Sequence, residues 1–210
     1  MTMRESHDRI QWVYESVNNQ ELQERYDQWA TEYDQDLDEV FAWNAPQNGA
    51  NVLASLVGPD AAVLDAGAGT GLAGKCLADA GFTNMAAMDL SQGMLEEARK
   101  KNVYNSFHQM TLGETLGFET AQFDAVISIG VFTLGHAPVH SFDELVRVTK
   151  PGGYIVFSLR TDMVDDGFED YFGKLTDAGK WRLAEATDPF QPLPKGEPEV
   201  FHQIWAYQVV

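Results

Sequence analysis

The sequence predicts an α/β fold: an open parallel β-sheet with helices on both faces, ended by an antiparallel hairpin. Two observations carry this. From residue 61 to residue 160, short apolar strand-like runs alternate with segments whose apolar residues recur at helical spacing. Beyond that, two strand-like runs follow one another with only a Pro-rich loop between them, and adjacent strands without a crossover helix pair antiparallel.

Ile10, Val13, Tyr14 and Val17 fall on one helix face, and after Asn18-Asn19 a second face follows at Leu22, Tyr26, Trp29 and Tyr33. A third helix is expected near Pro46, a residue suited to a first helical turn. AAVLDA (61–66) reads as a buried strand running into glycines, and Leu72, Ala73, Cys76, Leu77 and Ala80 form a helix face closed by Gly81. MAAMD (85–89) is the second strand, and Ser91 can cap the helix that carries Met94, Leu95 and Ala98. A weaker strand is expected around Tyr104 to Met110 and a strong one at FDAVISI (123–129). The helix bearing Phe142, Leu145 and Val146 runs into the turn Lys150-Pro151-Gly152-Gly153 and the strand YIVFSL (154–159). A helix from Phe168 to Ala178 precedes the hairpin strands, Trp181 to Thr187 and Val200 to Val210.

Composition narrows the function. The 210 residues include 32 acidic and 14 basic side chains, a net charge of −18 with pI near 4.4, and a single cysteine. Such a charge repels phosphate backbones and anionic headgroups, so neither nucleic acid nor a membrane surface is an expected partner. Cys76 alone allows no internal disulfide and no cysteine cluster. The segment MTMRESHDRI lacks the apolar stretch of a signal peptide, so a cytoplasmic location is expected. No metal is expected either, because no ligand set stands at a useful spacing and the Asp165-Asp166 pair reads as surface charge.

The most informative stretch is Val63-Leu64-Asp65-Ala66-Gly67-Ala68-Gly69-Thr70-Gly71-Leu72, a strand that turns through three alternate glycines into a helix. Glycines there let a ligand approach the backbone at a helix N-terminus. A dinucleotide loop needs glycine at the sixth position, where Leu72 stands. A Walker-type loop is nearly matched by Gly69 to Lys75, yet Cys76 has no hydroxyl for magnesium. Asp65 before the glycines suits an ammonium group rather than a phosphate. Asp89, ending the second strand, can accept both hydroxyls of a ribose or simply cap a helix. An amino acid end together with a ribose suggests S-adenosylmethionine.

DAGAGTGL, MDLSQGML, FDAVIS and RVTKPGGYIVFSLR resemble the class I S-adenosylmethionine-dependent methyltransferases over nearly the whole chain. YDQWATEYDQDLDE, KNVY and FTLGHAP resemble, more narrowly, the Williams-Beuren-region methyltransferase-like proteins. The resemblance implies a Rossmann-like, mostly parallel seven-stranded sheet with a reversed C-terminal strand, and N-terminal helices that cap the cofactor site. It divides one domain into a helical cap (1–45), a cofactor-binding core (46–160) and a C-terminal helix with hairpin (161–210). It also implies a cofactor site made of Asp65 with the loop Gly67, Ala68, Gly69, Gly71 and Leu72; Asp89, Leu90 and Met94; Ser128; and Tyr26 and Tyr33 from the cap. Where the class often carries an adenine-binding Asp, this chain has Thr111 and Leu112, so apolar packing by Leu90 and Leu112 is expected to matter more.

Transfer of a methyl group depends mainly on holding the acceptor against it, so no catalytic triad is required. His136, after the fourth strand, is the candidate general base, or else a loop residue ordering the turn before Pro138. Trp29, Trp43, Phe132 and Arg160 are the candidate substrate contacts. The expected function is methyl transfer to a small molecule, leaving S-adenosylhomocysteine. The alternatives are a catalytically silent cofactor-binding or regulatory protein, or a protein methyltransferase. The oligomeric state and the acceptor stay open.

Overall fold

The computed structural model describes residues 3–133, 136–163 and 167–210; the Asp165-Asp166 pair and Leu134-Gly135 lie outside the described residues. Strands β1 (Val63–Ala66), β2 (Met85–Asp89), β3 (Ser106–Gln109), β4 (Phe123–Phe132), β5 (Thr149–Arg160), β6 (Trp181–Ala186) and β7 (His202–Val209) form one sheet. The helices are α1 (Met3–Tyr14), α2 (Asn19–Asp34), α3 (Ala45–Leu56), α4 (Leu72–Asp79), α5 (Gln92–Lys100), α6 (Ser141–Val148) and α7 (Glu169–Asp177). Sheet order is β3-β2-β1-β4-β5-β7-β6, with β1 to β5 parallel and β7 antiparallel to both neighbours. The expected Rossmann-like sheet and its reversed last strand are therefore present. Strand order reverses between β1 and β4, and in open α/β sheets a ligand crevice forms outside the strand ends at such a point.

The central strands are buried on both faces, which is why they read as unbroken apolar runs. Leu64, Val126, Ile155 and Phe157 pack against Phe142, Leu145 and Val148 of α6 and Phe172 of α7. On the opposite face Val63, Ile127, Val156 and Ile204 meet Leu53 of α3 and Leu77 of α4. A third cluster lies above the sheet ends: Ile10 and Val13 of α1, Leu22 and Trp29 of α2, Leu37, Phe41 and Leu193. No described helix is long and apolar enough to cross a membrane.

Local signals were legible to within a few residues. Asn18 caps α2 by accepting the Glu21 N–H at 2.9 Å, and Ser91 caps α5 by accepting the Met94 N–H at 3.0 Å. The turn at Lys150 to Gly153 is a wide bulge inside β5: Thr149 pairs with Phe123 and Tyr154 with Ala125, so the intervening residues face Asp124 alone. A six-residue π-helical segment, Gln35–Val40, joins α2 to α3 and was not anticipated. It is held by Asp36, which is fully buried and accepts from Arg9 Nη1 at 2.9 Å and Trp29 Nε1 at 2.7 Å.

The near match to a Walker loop has a packing explanation. Gly74 lies inside α4, and a Cβ there would stand 2.1 Å from the Tyr104 hydroxyl oxygen. Lys75 faces outward to Asp79 one turn on. Alanine normally favours a helix interior over glycine by about 0.5 to 1 kcal/mol. Gly74→Ala should nevertheless destabilise the fold by about 1 to 3 kcal/mol, the usual cost of overpacking. Denaturant unfolding measures this, and a neutral or stabilising result would show that Tyr104 moves aside freely.

Candidate functional site

An open cleft of about 850 Å3 lies at the carboxyl ends of β1, β2 and β4, roofed by α2. The loop after β1 makes its floor. Its geometry decides which ligand it suits, because the N–H groups of Gly67 and Ala68 both donate to the Met88 carbonyl of β2, at 2.7 and 2.9 Å. The Gly69 N–H donates to Asp89 Oδ2 at 2.8 Å, and the Gly71 N–H to the Ala68 carbonyl. A phosphate loop needs such groups pointing at the ligand. Here four of them are satisfied within the protein, which counts against the dinucleotide and Walker alternatives. Gly67, Gly69 and Gly71 all have positive φ, which this tight path requires.

Asp89 lies between the loop and the next helix. Oδ2 takes the Gly69 N–H, and Oδ1 takes the Ser91 N–H at 2.9 Å. Ser91, not Asp89, caps α5. A carboxylate has about four lone-pair sites. With the Leu90 N–H also reaching the carboxylate, at least one stays available toward the cleft that Asp89 lines. Burial pushes its pKa up to about 6, opposed by the N–H groups of Ser91, Gly69 and Leu90.

Asp65 stands at the end of β1 but outside the cleft wall. Only 1% exposed, it accepts the Tyr104 hydroxyl on Oδ2 at 2.5 Å, and Oδ1 has no hydrogen-bond partner. Burial pushes it up to about 7 despite the bond from Tyr104.

Two carboxylates fasten the roof. Asp27 of α2 accepts from the Gly93 N–H at 2.8 Å and from Ser91 Oγ at 2.6 Å, so it sits at the positive end of α5. Asp34 meets Thr70 Oγ1 and Lys101 Nζ, and Lys101 also donates to the Thr70 carbonyl at 2.7 Å. Tyr26, Tyr33 and Trp43 then face the glycine loop across the cleft. At the far side β4 departs from β5 after Ser128, and Gly130, at φ +75°, lets Trp43 approach where a Cβ would stand 2.9 Å from its ring.

His136 lines the cleft with both ring nitrogens engaged. Nε2 lies 2.8 Å from Tyr26 Oη and Nδ1 2.9 Å from Thr133 Oγ1. His136, expected as a general base or as the residue ordering the turn before Pro138, stands in a chain Thr133–His136–Tyr26.

Residues 64–157 match the family described as Methyltransferase domain. Human methyltransferase-like protein 27 is 36% identical over 164 residues, covering 74% of this chain and 66% of that protein. The chain belongs to the class I S-adenosylmethionine-dependent methyltransferases. A demethylmenaquinone methyltransferase of Renibacterium salmoninarum is 34% identical over 141 residues, 65% of this chain and 57% of its own. The chain thus spans just under two thirds of the human relative and rather less of the bacterial one. Among solved structures, the chain crystallised with the Haloferax volcanii Trm112 methyltransferase activator superposes at TM-score 0.68, with 18% identity over 88% of this chain and 97% of that one. The [4+2]-cyclase SpnF superposes at 0.70, with 15% identity over 92% and 97%. These two show the shared fold.

In this methyltransferase, Tyr26, Tyr33, Gly67, Ala68, Gly69, Leu72, Asp89, Leu90, Met94, Thr111, Leu112, Trp43 and His136 all line the cleft. Other candidates lie elsewhere. Ser128 is fully buried and donates to the Ala66 carbonyl at 2.7 Å, tying β4 to β1. Gly71 starts α4 beneath Tyr104. Phe132 is a core residue stacked on Phe142 at 4.3 Å, because the bulge after Ser128 turns it inward, so it offers no substrate contact. Trp29 and Arg160 face a second, adjoining cavity. Met88, Met110, Ile129, Val131 and Ala137 also line the cleft and were missed, since apolar strand ends carry no signal separating wall from core.

The raised pKa of Asp65 has a stability consequence. A carboxyl whose folded value exceeds its unfolded value stabilises the fold at pH below about 4, and that contribution is lost as pH rises through about 7. Asp65→Asn, which keeps an acceptor for Tyr104, should therefore gain stability relative to the parent protein between pH 5 and pH 8. Urea unfolding across that range is the check, and a stability difference independent of pH would refute the assignment.

Proposed function

We propose that the cleft binds S-adenosylmethionine and that the chain transfers its methyl group to a small-molecule acceptor. The observation that carries this is Asp89, a buried carboxylate facing a cleft whose described lining holds no Lys or Arg. An anionic cofactor would meet repulsion there. A ligand with two ribose hydroxyls and a cationic end fits.

The donor set matches that ligand part by part. Asp89 would accept the ribose hydroxyls, and Leu90, Met94, Met110 and Leu112 supply an apolar slot for a planar base, with Thr111 beside it. Asp65, two residues before Gly67 and behind the cleft wall, would add negative charge near the methionyl end once ionised. Tyr26, Tyr33 and Trp43 present ring faces that suit a sulfonium. When bound, S-adenosylmethionine supplies an electrophilic methyl group. The chain's contribution is to hold the acceptor in line with it, exclude water, and accommodate the proton the acceptor gives up. Tyr26 is held neutral by burial and by the nearby acidic groups, so its hydroxyl would move a proton only by passing its own to His136 Nε2.

A small acceptor is supported by relatives named for demethylmenaquinone and for malonyl-[acyl-carrier protein] O-methylation. One observation favours a second reading, a silent or differently employed binder: the [4+2]-cyclase SpnF shares this fold at TM-score 0.70. Turnover of labelled S-adenosylmethionine against a metabolite extract separates the two. Labelled product establishes transfer, and cofactor binding with no transfer across the extract favours the binder.

Calorimetry with S-adenosylhomocysteine should show binding that Asp89→Ala weakens by about 10- to 100-fold, the size of hydrogen bonds to a charged group. Because the ionised carboxylate is the acceptor, affinity should be level above pH 7 and fall as pH drops through about 6. Affinity unaffected by the substitution would refute the ribose assignment.

Once an acceptor is in hand, Tyr26→Phe and His136→Ala should lower kcat by similar factors, with the double variant no worse than either. Groups acting as one relay are non-additive. Additive losses would place the two residues in separate roles.

A further inference from the structure

Beyond Tyr26, Tyr33 and Trp43 lies a second cavity of about 580 Å3, which shares those three side chains and Gly130 with the cleft. The shared residues form a partition with aromatic rings on it. Trp29, on the second cavity's wall, meets the Tyr33 ring at 4.7 Å edge to face and stacks with Tyr26 at 6.3 Å. Away from the partition the lining becomes polar: Arg160, His202, Glu197 and Tyr14.

The hairpin creates this polar end. Arg160 ends β5, His202 begins β7, and the antiparallel register sets them directly opposite, so both side chains leave the sheet on one face. Arg160 donates Nε and Nη2 to Asp162, at 3.0 and 2.8 Å. His202 is only 7% exposed, and its Nδ1 has no hydrogen-bond partner. A buried polar atom in this state costs stability unless something satisfies it. Burial first, and Arg160 second, push the imidazole down to about 4, so it is uncharged near neutrality. Among the described residues that line the cavity the charged side chains are Arg160 and Glu197, and Arg160 is already paired with the exposed Asp162 outside the lining.

We propose that this cavity is the acceptor chamber and takes an uncharged, planar aromatic compound carrying a hydroxyl group at the end remote from its accepting atom. The assignment rests on the methyltransferase reading of the adjoining cleft. The hydroxyl donates to His202 Nδ1 and accepts from the Arg160 guanidinium, which satisfies the orphaned nitrogen. The ring lies among Tyr26, Trp29, Tyr33 and Trp43, with its other end at the partition. An anionic head is disfavoured because Glu197 faces it and the charge of Arg160 is already met by Asp162, and a cationic head because Arg160 and an uncharged His202 face it.

The probes are 2-naphthol, 2-naphthoate and 2-naphthylmethylammonium, titrated calorimetrically at pH 7.5 into the whole chain with and without S-adenosylhomocysteine. We expect 2-naphthol to bind at least about tenfold more tightly than either charged analogue. His202→Leu should weaken 2-naphthol by about tenfold or more while leaving S-adenosylhomocysteine affinity within about twofold, and His202→Gln, which restores an acceptor, should recover much of the loss. Arg160→Met gives the same reading should the His202 variants fail to fold. Charged analogues binding as tightly as 2-naphthol, or 2-naphthol affinity insensitive to both positions, would overturn the proposal. Failure of S-adenosylhomocysteine to bind would instead overturn the cofactor reading, and the titration without it still tests the chamber.

Discussion

The structure around the site depends on one allocation of hydrogen bonds: the glycine loop gives its N–H groups to the end of β2. Gly67 and Ala68 go to the Met88 carbonyl and Gly69 to the Asp89 carboxylate, so the loop is fixed to the neighbouring strand before any ligand arrives. The same allocation settles electrostatics. A loop with these donors spent is a poor nest for a phosphate, and the group left facing the cleft is an acid. Bonds to a charged acceptor are each worth about 1.5 to 3 kcal/mol, so the Gly69 bond also repays part of the cost of burying Asp89.

The roof follows from the same acidity. Residues 1–60 hold 12 acidic and 3 basic side chains, and three of the acids perform specific structural work. Asp27 meets the N-terminus of α5, Asp34 meets Thr70 and Lys101, and Asp36 gathers Arg9 and the Trp29 indole. With α2 fixed at Asp27 and Asp34, the tyrosines that immediately precede them, Tyr26 and Tyr33, have little freedom to swing away from the loop. Tyr26 and Tyr33 can then serve as a shared wall, and one set of rings bounds both cavities.

Much of this was legible in the sequence, for identifiable reasons. β2 was read at its observed bounds because MAAMD is buried on both faces and bracketed by loop residues, and Ser91 was read as a cap because its hydroxyl is three residues from the N–H it accepts. Asp89 was found as an acid at a strand end. What escaped notice depends on contacts distant in the chain. Tyr104 reaches Asp65 across 39 residues, and His136 reaches Tyr26 across 110. Phe132 was misplaced because a bulge reverses which face a residue takes, and nothing in GVFTL announces the bulge except Gly130. His202 was overlooked because its pairing with Arg160 is a matter of register, which a sequence without its partner strand does not specify.

The arrangement also bears on where rate would come from. A general base works best with a value near the working pH, and the groups around the partition fail that test in opposite directions. Tyr26 and Tyr33 are pushed well above the ordinary tyrosine range by burial, and His202 well below that of histidine. His136 is committed to Thr133 and Tyr26. What the chain does supply is position: two cavities meeting at a wall of rings, a loop pinned to its neighbouring strand, and a roof held by carboxylates. Bringing two reactants into line in such a setting can supply about 7 to 11 kcal/mol of a barrier without any proton leaving in the transition state. Position thus carries most of the rate, and the Thr133–His136–Tyr26 chain adds its share by taking up the acceptor's proton as one unit.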